Sequence, residues 1–228
     1  MFVQAPVQTV SSKHTAGPRP RTMPSDHALT GPIEQMGAPM TFRRNTEIYG
    51  EGEQADYAYK VVSGAVRTYR ILADGRRQIG GFHLAGDVFG LEVADQHAFS
   101  AEAVSESKIL VVKRSALMAL AARDSDVARE LWTLTGRELA RVQEHIVLLV
   151  KTAQERVAGF LLEMADRRPA GDAVELPMSR QDIADYLGLT IETVSRTMTQ
   201  LVSEQAIVLP SSRRIVLRNA GALRRLNA

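Results

Sequence analysis

The sequence has no cysteine in its 228 residues. That removes disulfides, thiolate metal sites and cysteine-ligated iron–sulfur clusters together, so redox sensing would need other chemistry. No apolar run approaches the roughly 18 residues of a membrane span, and the N-terminal region lacks a compact apolar segment of the kind that directs export. The expectation is a soluble protein of the cytoplasm with no membrane partner. An excess of charge is also missing: the formal net charge is only +2, so composition alone does not announce a nucleic-acid partner. Enzyme signatures are lacking too. There is no P-loop, no G-x-S-x-G and no metal-ligand cluster, and Glu51, Glu53 and Asp56 fall in a solvated turn. His83 and His97 are lone histidines, which pack more often than they ligate. No enzyme activity, metal or cofactor is expected.

What is present is a 45% hydrophobic chain, enough to bury a substantial core in one or two domains. Residues 1–27 are rich in Pro, Ser, Thr and Gln without periodicity and read as a flexible tail. A short helix is expected over 29–36, with Gly37 as its stop. Short β segments follow at 46–49, 58–63, 65–71, 77–83, 101–103 and 108–113, separated by Gly and Asp. Turn signals at this spacing argue a β-barrel or roll, and Ala73-Asp74-Gly75 is a hairpin turn whose glycine takes positive φ.

A short helix over 114–122 leads into a long one over 126–151, in which Trp132, Thr135, Leu139, Val142, Ile146 and Leu149 recur at steps of three and four. Such a seam pairs two helices; the alternative is burial against its own domain, which Leu131, Leu134 and Leu148 on a neighbouring face suit. Thr152 marks a bend, a helix follows over 154–166, and 167–172 is a turn. A short strand at 174–176 precedes the stretch at 179–204, SRQDIADYLGLTIETVSRTMTQLVSE.

That stretch reads as two short helices around a tight turn. Ile183, Ala184 and Leu187 share one face, Gly188 permits the bend, and Ser179 with Asp182 three residues on forms a capping box. Thr190 caps the second helix, whose Val194, Met198 and Leu201 turn inward and leave Glu192, Ser195 and Arg196 outward. Taken alone, Glu192 and Arg196 also fit a plain surface ion pair. After it come five arginines and no acid between Gln205 and Ala228, including a basic turn at 210–213 between two strands. The module is a winged helix, and Asn219 caps a last short helix.

These residues resemble the helix-turn-helix of the CRP/FNR family of transcription regulators. Glu192-Thr193-Val194-Ser195-Arg196 matches the E-x-x-S-R pattern of its FNR and FixK branches. Tyr49-Gly50-Glu51-Gly52, then Val61 to Val66 as V-x-S-G-x-V, then Leu84 to Gly90 as L-A-G-D-V-F-G, resemble that family's cyclic-nucleotide-binding β-roll. The resemblance implies an α+β chain organised as tail 1–27, β-roll 28–125, dimerisation helix 126–152 and winged helix-turn-helix 153–228. It implies a homodimer on double-stranded DNA with RNA polymerase as a partner, and an inverted repeat with TTGA-type half-sites. Glu192, Ser195 and Arg196 are the expected base contacts; Ser179, Arg180, Thr190, Thr193, Arg213 and Arg214 are the expected phosphate contacts.

Members that bind a cyclic nucleotide hold the ribose and phosphate with a Glu and an Arg-Ser pair. Glu92 is kept, but 93–103 has no arginine, and a buried phosphate without a guanidinium is poorly compensated. DNA binding without a small-molecule effector follows, with a ligand-gated regulator of the same fold as the alternative. Ser179 is also the position where a cysteine, at a helix N-terminus beside Arg180, would be open to oxidation.

Overall fold

The computed structural model describes residues 30–167 and 173–227. The tail at 1–27 and most of the turn at 167–172 lie outside them. Helix α1 (Thr30–Met36) leads into strands β1 (Ala38–Phe42), β2 (Glu47–Tyr49), β3 (Tyr57–Ser63), β4 (Ala65–Ile71), β5 (Arg77–Leu84), β6 (Val88–Phe89), β7 (Ser100–Ala103) and β8 (Ser107–Lys113). They form two antiparallel sheets, β1-β8-β3-β6 and β2-β7-β4-β5, packed as a roll. Two of these strands were not expected from the sequence, β1 and β6.

The β4–β5 hairpin pairs from Ala65 opposite Leu84 to Ile71 opposite Arg77, with a one-residue shift of register between Thr68 and Tyr69. Its turn uses Gly75 at φ 83°, where a side chain would be strained. Gly64, between β3 and β4, has a second reason to be glycine: a Cβ there would lie 2.3 Å from the Ser107 hydroxyl. Val61, Val66, Ile109 and the rings of Tyr49, Tyr59 and Phe89 fill the roll. Its two lone histidines pack inside, His97 stacked 3.6 Å from Tyr49 and His83 4.7 Å from Phe89.

Helix α2 (Arg114–Ala121) turns the chain into α3 (Ser125–Leu149), capped by Asp124, whose carboxylate accepts from the amides of Asp126 and Val127. Helix α3 has two apolar faces. Val127, Leu131 and Leu134 pack on the roll with Ile33 and Leu117. The other face stands in solvent: Trp132 is 82% exposed, Leu139 59%, Val142 44% and Ile146 60%. Thr135 is exposed as well, its hydroxyl turned back to the Leu131 carbonyl, while Leu149 is half-buried near Gly188.

The bend at Thr152 is built by reciprocal capping. The Thr152 amide donates to the Glu155 carboxylate at 2.7 Å, and α4 (Ala153–Arg167) begins there. Strand β9 (Ala173–Glu175), α5 (Arg180–Leu187), α6 (Ile191–Ser203), β10 (Ile207–Val208), β11 (Arg214–Leu217) and α7 (Ala220–Asn227) complete the chain. The expected two-stranded wing is a three-stranded sheet, β10-β11-β9.

One core crosses from the roll to this C-terminal part. Ile79, Phe82 and Leu84 of β5 belong to the same buried cluster as Phe160, Leu161, Ile183 and Leu187. Burying a ring such as Phe160, 0% exposed, contributes roughly 2–3 kcal/mol, so the junction is an apolar contact before any charge is considered. Among the described residues no helix is long and apolar enough to cross a membrane, and no group of three or more His, Asp or Glu side chains could hold a metal ion.

Candidate nucleic-acid interface

Helices α5 and α6 form the helix-turn-helix, and local chemistry sets both starts. The Ser179 hydroxyl accepts from the Asp182 amide at 3.1 Å while the Asp182 carboxylate accepts from the Ser179 amide at 2.9 Å and hydroxyl at 2.8 Å. This closes the capping box read from the sequence. Gly188 ends α5 at φ 61°, and the Leu189 amide donates to the Ala184 carbonyl at 2.9 Å. Ala184 is fully buried at the crossing, where a larger side chain would push the helices apart. Thr190 caps α6 by accepting from the Thr193 amide at 3.2 Å.

Val194, Met198 and Leu201 then point into the core, and Glu192, Ser195 and Arg196 lie together on the exposed face. The surface ion pair that Glu192 and Arg196 could make is not among those formed by the described residues. Both side chains are exposed. Arg213 and Arg214 are exposed at the wing, their amides accepted by the Ser211 hydroxyl at 3.4 and 3.1 Å. Thr190 is exposed too, whereas Ser179, Arg180 and Thr193 are half-buried. Arg180 has one guanidinium nitrogen buried without a partner, and burial lowers its pKa.

Beneath α5 lies a cluster of charges that the sequence reading missed. Asp182 is 3% exposed, and its second carboxylate oxygen accepts from Arg67 of β4 at 2.9 Å and from Arg77 of β5 at 2.7 Å. Arg67 also donates to Glu102 of β7 at 2.5 Å, and Arg77 to Asp185 of α5 at 2.8 Å. Burial alone would raise the Asp182 carboxyl, but the Ser179 bonds and the charges of Arg67 and Arg77 outweigh it and hold it below the usual carboxylate range. The only signal in the sequence was that arginines and carboxylates of unlike sign stand some 105 and 115 residues apart, which no local pattern exposes.

Between the roll and α3 is a cavity of about 520 Å³ lined by Thr68, His83, Phe89, Glu92, Glu138 and Val142, among others, with no lysine or arginine in its wall. One Glu92 oxygen bonds His97 at 3.3 Å, and the other is buried without a partner. The wall offers two carboxylates, of which Glu138 is paired at 3.3 Å with Arg141 outside the wall, and no guanidinium of its own.

The model of the Crp-like helix-turn-helix domain matches residues 155–226, and that of the cyclic nucleotide-binding domain matches residues 39–124. The nitrogen fixation regulation protein FixK of Azorhizobium caulinodans is 53% identical over 86% of this chain and 82% of its own length. The transcriptional activatory protein AadR of Rhodopseudomonas palustris is 37% identical over 82% of this chain and 79% of its own. The solved structure of FixK2 from Bradyrhizobium japonicum superposes with a TM-score of 0.81 at 51% identity, covering 84% of this chain and 98% of that one. These relatives are transcription regulators and not enzymes. With a roll, a long helix and a winged helix-turn-helix in the same order and identity above half over most of its length, the chain belongs to the CRP/FNR family of transcription regulators, close to FixK.

Proposed function

We propose that the protein is a transcription activator of the cytoplasm that binds DNA as a homodimer, recognises an inverted repeat with TTGA-type half-sites and acts on RNA polymerase without a small-molecule effector. The observation that carries this reading is the outward face of α6, where Glu192, Ser195 and Arg196 are exposed on a helix capped and packed from behind. Arg196 reaches guanine O6 and N7 together, Glu192 accepts from cytosine N4 or adenine N6, and Ser195 is short enough to lie against a thymine methyl. Thr190, Thr193, Arg213 and Arg214 flank that face, and Ser179 and Arg180 sit at the positive end of α5, as phosphate contacts would.

Dimerisation is supported by the apolar stripe Trp132, Leu139, Val142 and Ile146, which stays largely exposed although its last three residues also edge the cavity beside the roll. A two-fold pair places its reading helices about one helical turn apart. Independence of a cyclic nucleotide is supported by the cavity, where a phosphate would meet Glu92 and Glu138 with no arginine or lysine in the wall. The purified protein, with no ligand added, is tested by mobility shift on a duplex carrying the inverted repeat and on a scrambled duplex. Retention of the repeat alone is expected, unchanged by cAMP. Equal retention of both duplexes would overturn the specificity, and a tenfold gain with cAMP would overturn the effector independence.

A further inference from the structure

Base reading by α6 makes no use of the charges under α5, although two of them, Asp182 and Arg67, are buried. The Asp182 side chain is 4% exposed and the Arg67 side chain 9%. The carboxylate of Asp182 is divided between two tasks: one oxygen closes the capping box with Ser179, and the other receives two guanidinium groups from the β4–β5 hairpin. Around it, the Gln78 amide donates to the Tyr186 carbonyl at 3.3 Å, and the Phe82 and Tyr186 rings lie 5.3 Å apart.

Apolar contact would hold this junction without the cost of drying Asp182 and Arg67. What a forked guanidinium adds is direction, because its donors lie in one plane and meet a carboxylate in few orientations. A dimer that reads two half-sites gains from linkage only when the two reading heads span the site. Orientation of each head is then a binding determinant, although the groups that set it touch no DNA.

We propose that Arg67 and Arg77 of the roll are positioning residues for operator binding, fixing through Asp182 and Asp185 the angle at which α6 is presented. This rests on the reading that paired α6 helices bind an inverted repeat. It also gives the roll a task that needs no ligand.

The absence of cysteine makes a direct test simple. Lys108→Cys on the roll and Ser203→Cys on α6 carry spin labels, and their distance distribution is measured beside operator affinity. Arg77→Glu, which sets a carboxylate against Asp182 and Asp185, should broaden the distribution and weaken operator binding at least tenfold. Adding Asp185→Arg should recover the narrow distribution and bring affinity back to within threefold. Arg77→Gln, a milder change should the reversal unfold the chain, should give an intermediate loss. A narrow distribution with wild-type affinity in both single variants would overturn the proposal. So would a broadened distribution with undiminished affinity, since the arginines would then hold the junction without positioning anything. Failure of the unsubstituted protein to retain the repeat would instead strike the DNA reading, while the label distances still judge the hold of the arginines.

Discussion

Helix α5 buries five of its eight residues, and its first turn is bonded to the roll, whereas α6 buries four of thirteen and turns its polar side to solvent. The two belong to one motif and share one core, yet of the two it is α5 that is bonded to the roll. Asp182 is bonded by Ser179, Arg67 and Arg77, and the Tyr186 carbonyl by Gln78 and His145, while Arg180 keeps one guanidinium nitrogen without a partner. On α6 the Thr193, Thr199, Gln200 and Ser203 side chains bond within the helix and its caps, and the outward Glu192, Ser195 and Arg196 side chains are left without a partner among the described residues. A helix that must hold position satisfies its polar groups inside the protein, and one that must recognise something leaves them for the partner.

The contrast is broken most severely through α3, which determines whether two α6 faces act together at all. Ile146→Glu or Leu139→Glu puts like charges into the proposed seam. Sedimentation should show a monomer, and operator affinity should fall by about 10²-fold or more as the linkage is lost. A dimer that persists in both variants would move the interface elsewhere.

A smaller effect separates the parts of the reading surface. Arg196→Ala should cost about 1–3 kcal/mol and relax the preference at the guanine, while Arg213→Ala should weaken all duplexes alike and lower the salt dependence. Competition between matched and single-base-changed duplexes distinguishes them, and identical selectivity in the wild type and Arg196→Ala would remove that residue from base reading.

The smallest effect sharpens the α5 side. His145 stacks 3.9 Å from Tyr186 and bonds its carbonyl at 2.9 Å; burial lowers its pKa, with the Tyr186 bond acting against that. A histidine whose pKa falls on folding stabilises the fold above its ordinary value, and that contribution is lost as the pH falls through the lowered one. Melting curves between pH 7.5 and 5.5 should therefore show His145→Gln losing less than the wild type, a difference of about 2–4 °C at most. Equal losses would mean that His145 does not couple acid to this junction.

The sequence made α6 readable almost completely, because its signals are local. The cap at Thr190, the inward Val194, Met198 and Leu201, and the outward Glu192, Ser195 and Arg196 all lie within one short window. The capping box of α5 was readable for the same reason. Its fastening was not: Arg67 and Arg77 sit in strands where an arginine reads as the solvent side of an alternating pattern, and their partners come from another part of the fold. Strand β1 escaped because it is an edge strand carrying Pro39, mostly exposed and without an apolar alternation. Strand β6 is only two residues long. The three-stranded wing depends on β9 pairing with β11, a contact across the whole helix-turn-helix.

The shared carboxylate of Asp182 also joins two motions that are separate in most proteins. Fraying of a helix end is ordinarily a local and cheap event, whereas parting two domains is a large one. Here the first turn of α5 cannot open without releasing Arg67 and Arg77, and the hairpin cannot withdraw without unsettling the cap. The amides of Asp182 and Ile183, bonded to the Ser179 hydroxyl and carbonyl, should thus exchange their hydrogens as slowly as the buried interior, making the start of a surface helix one of the better protected points in the chain.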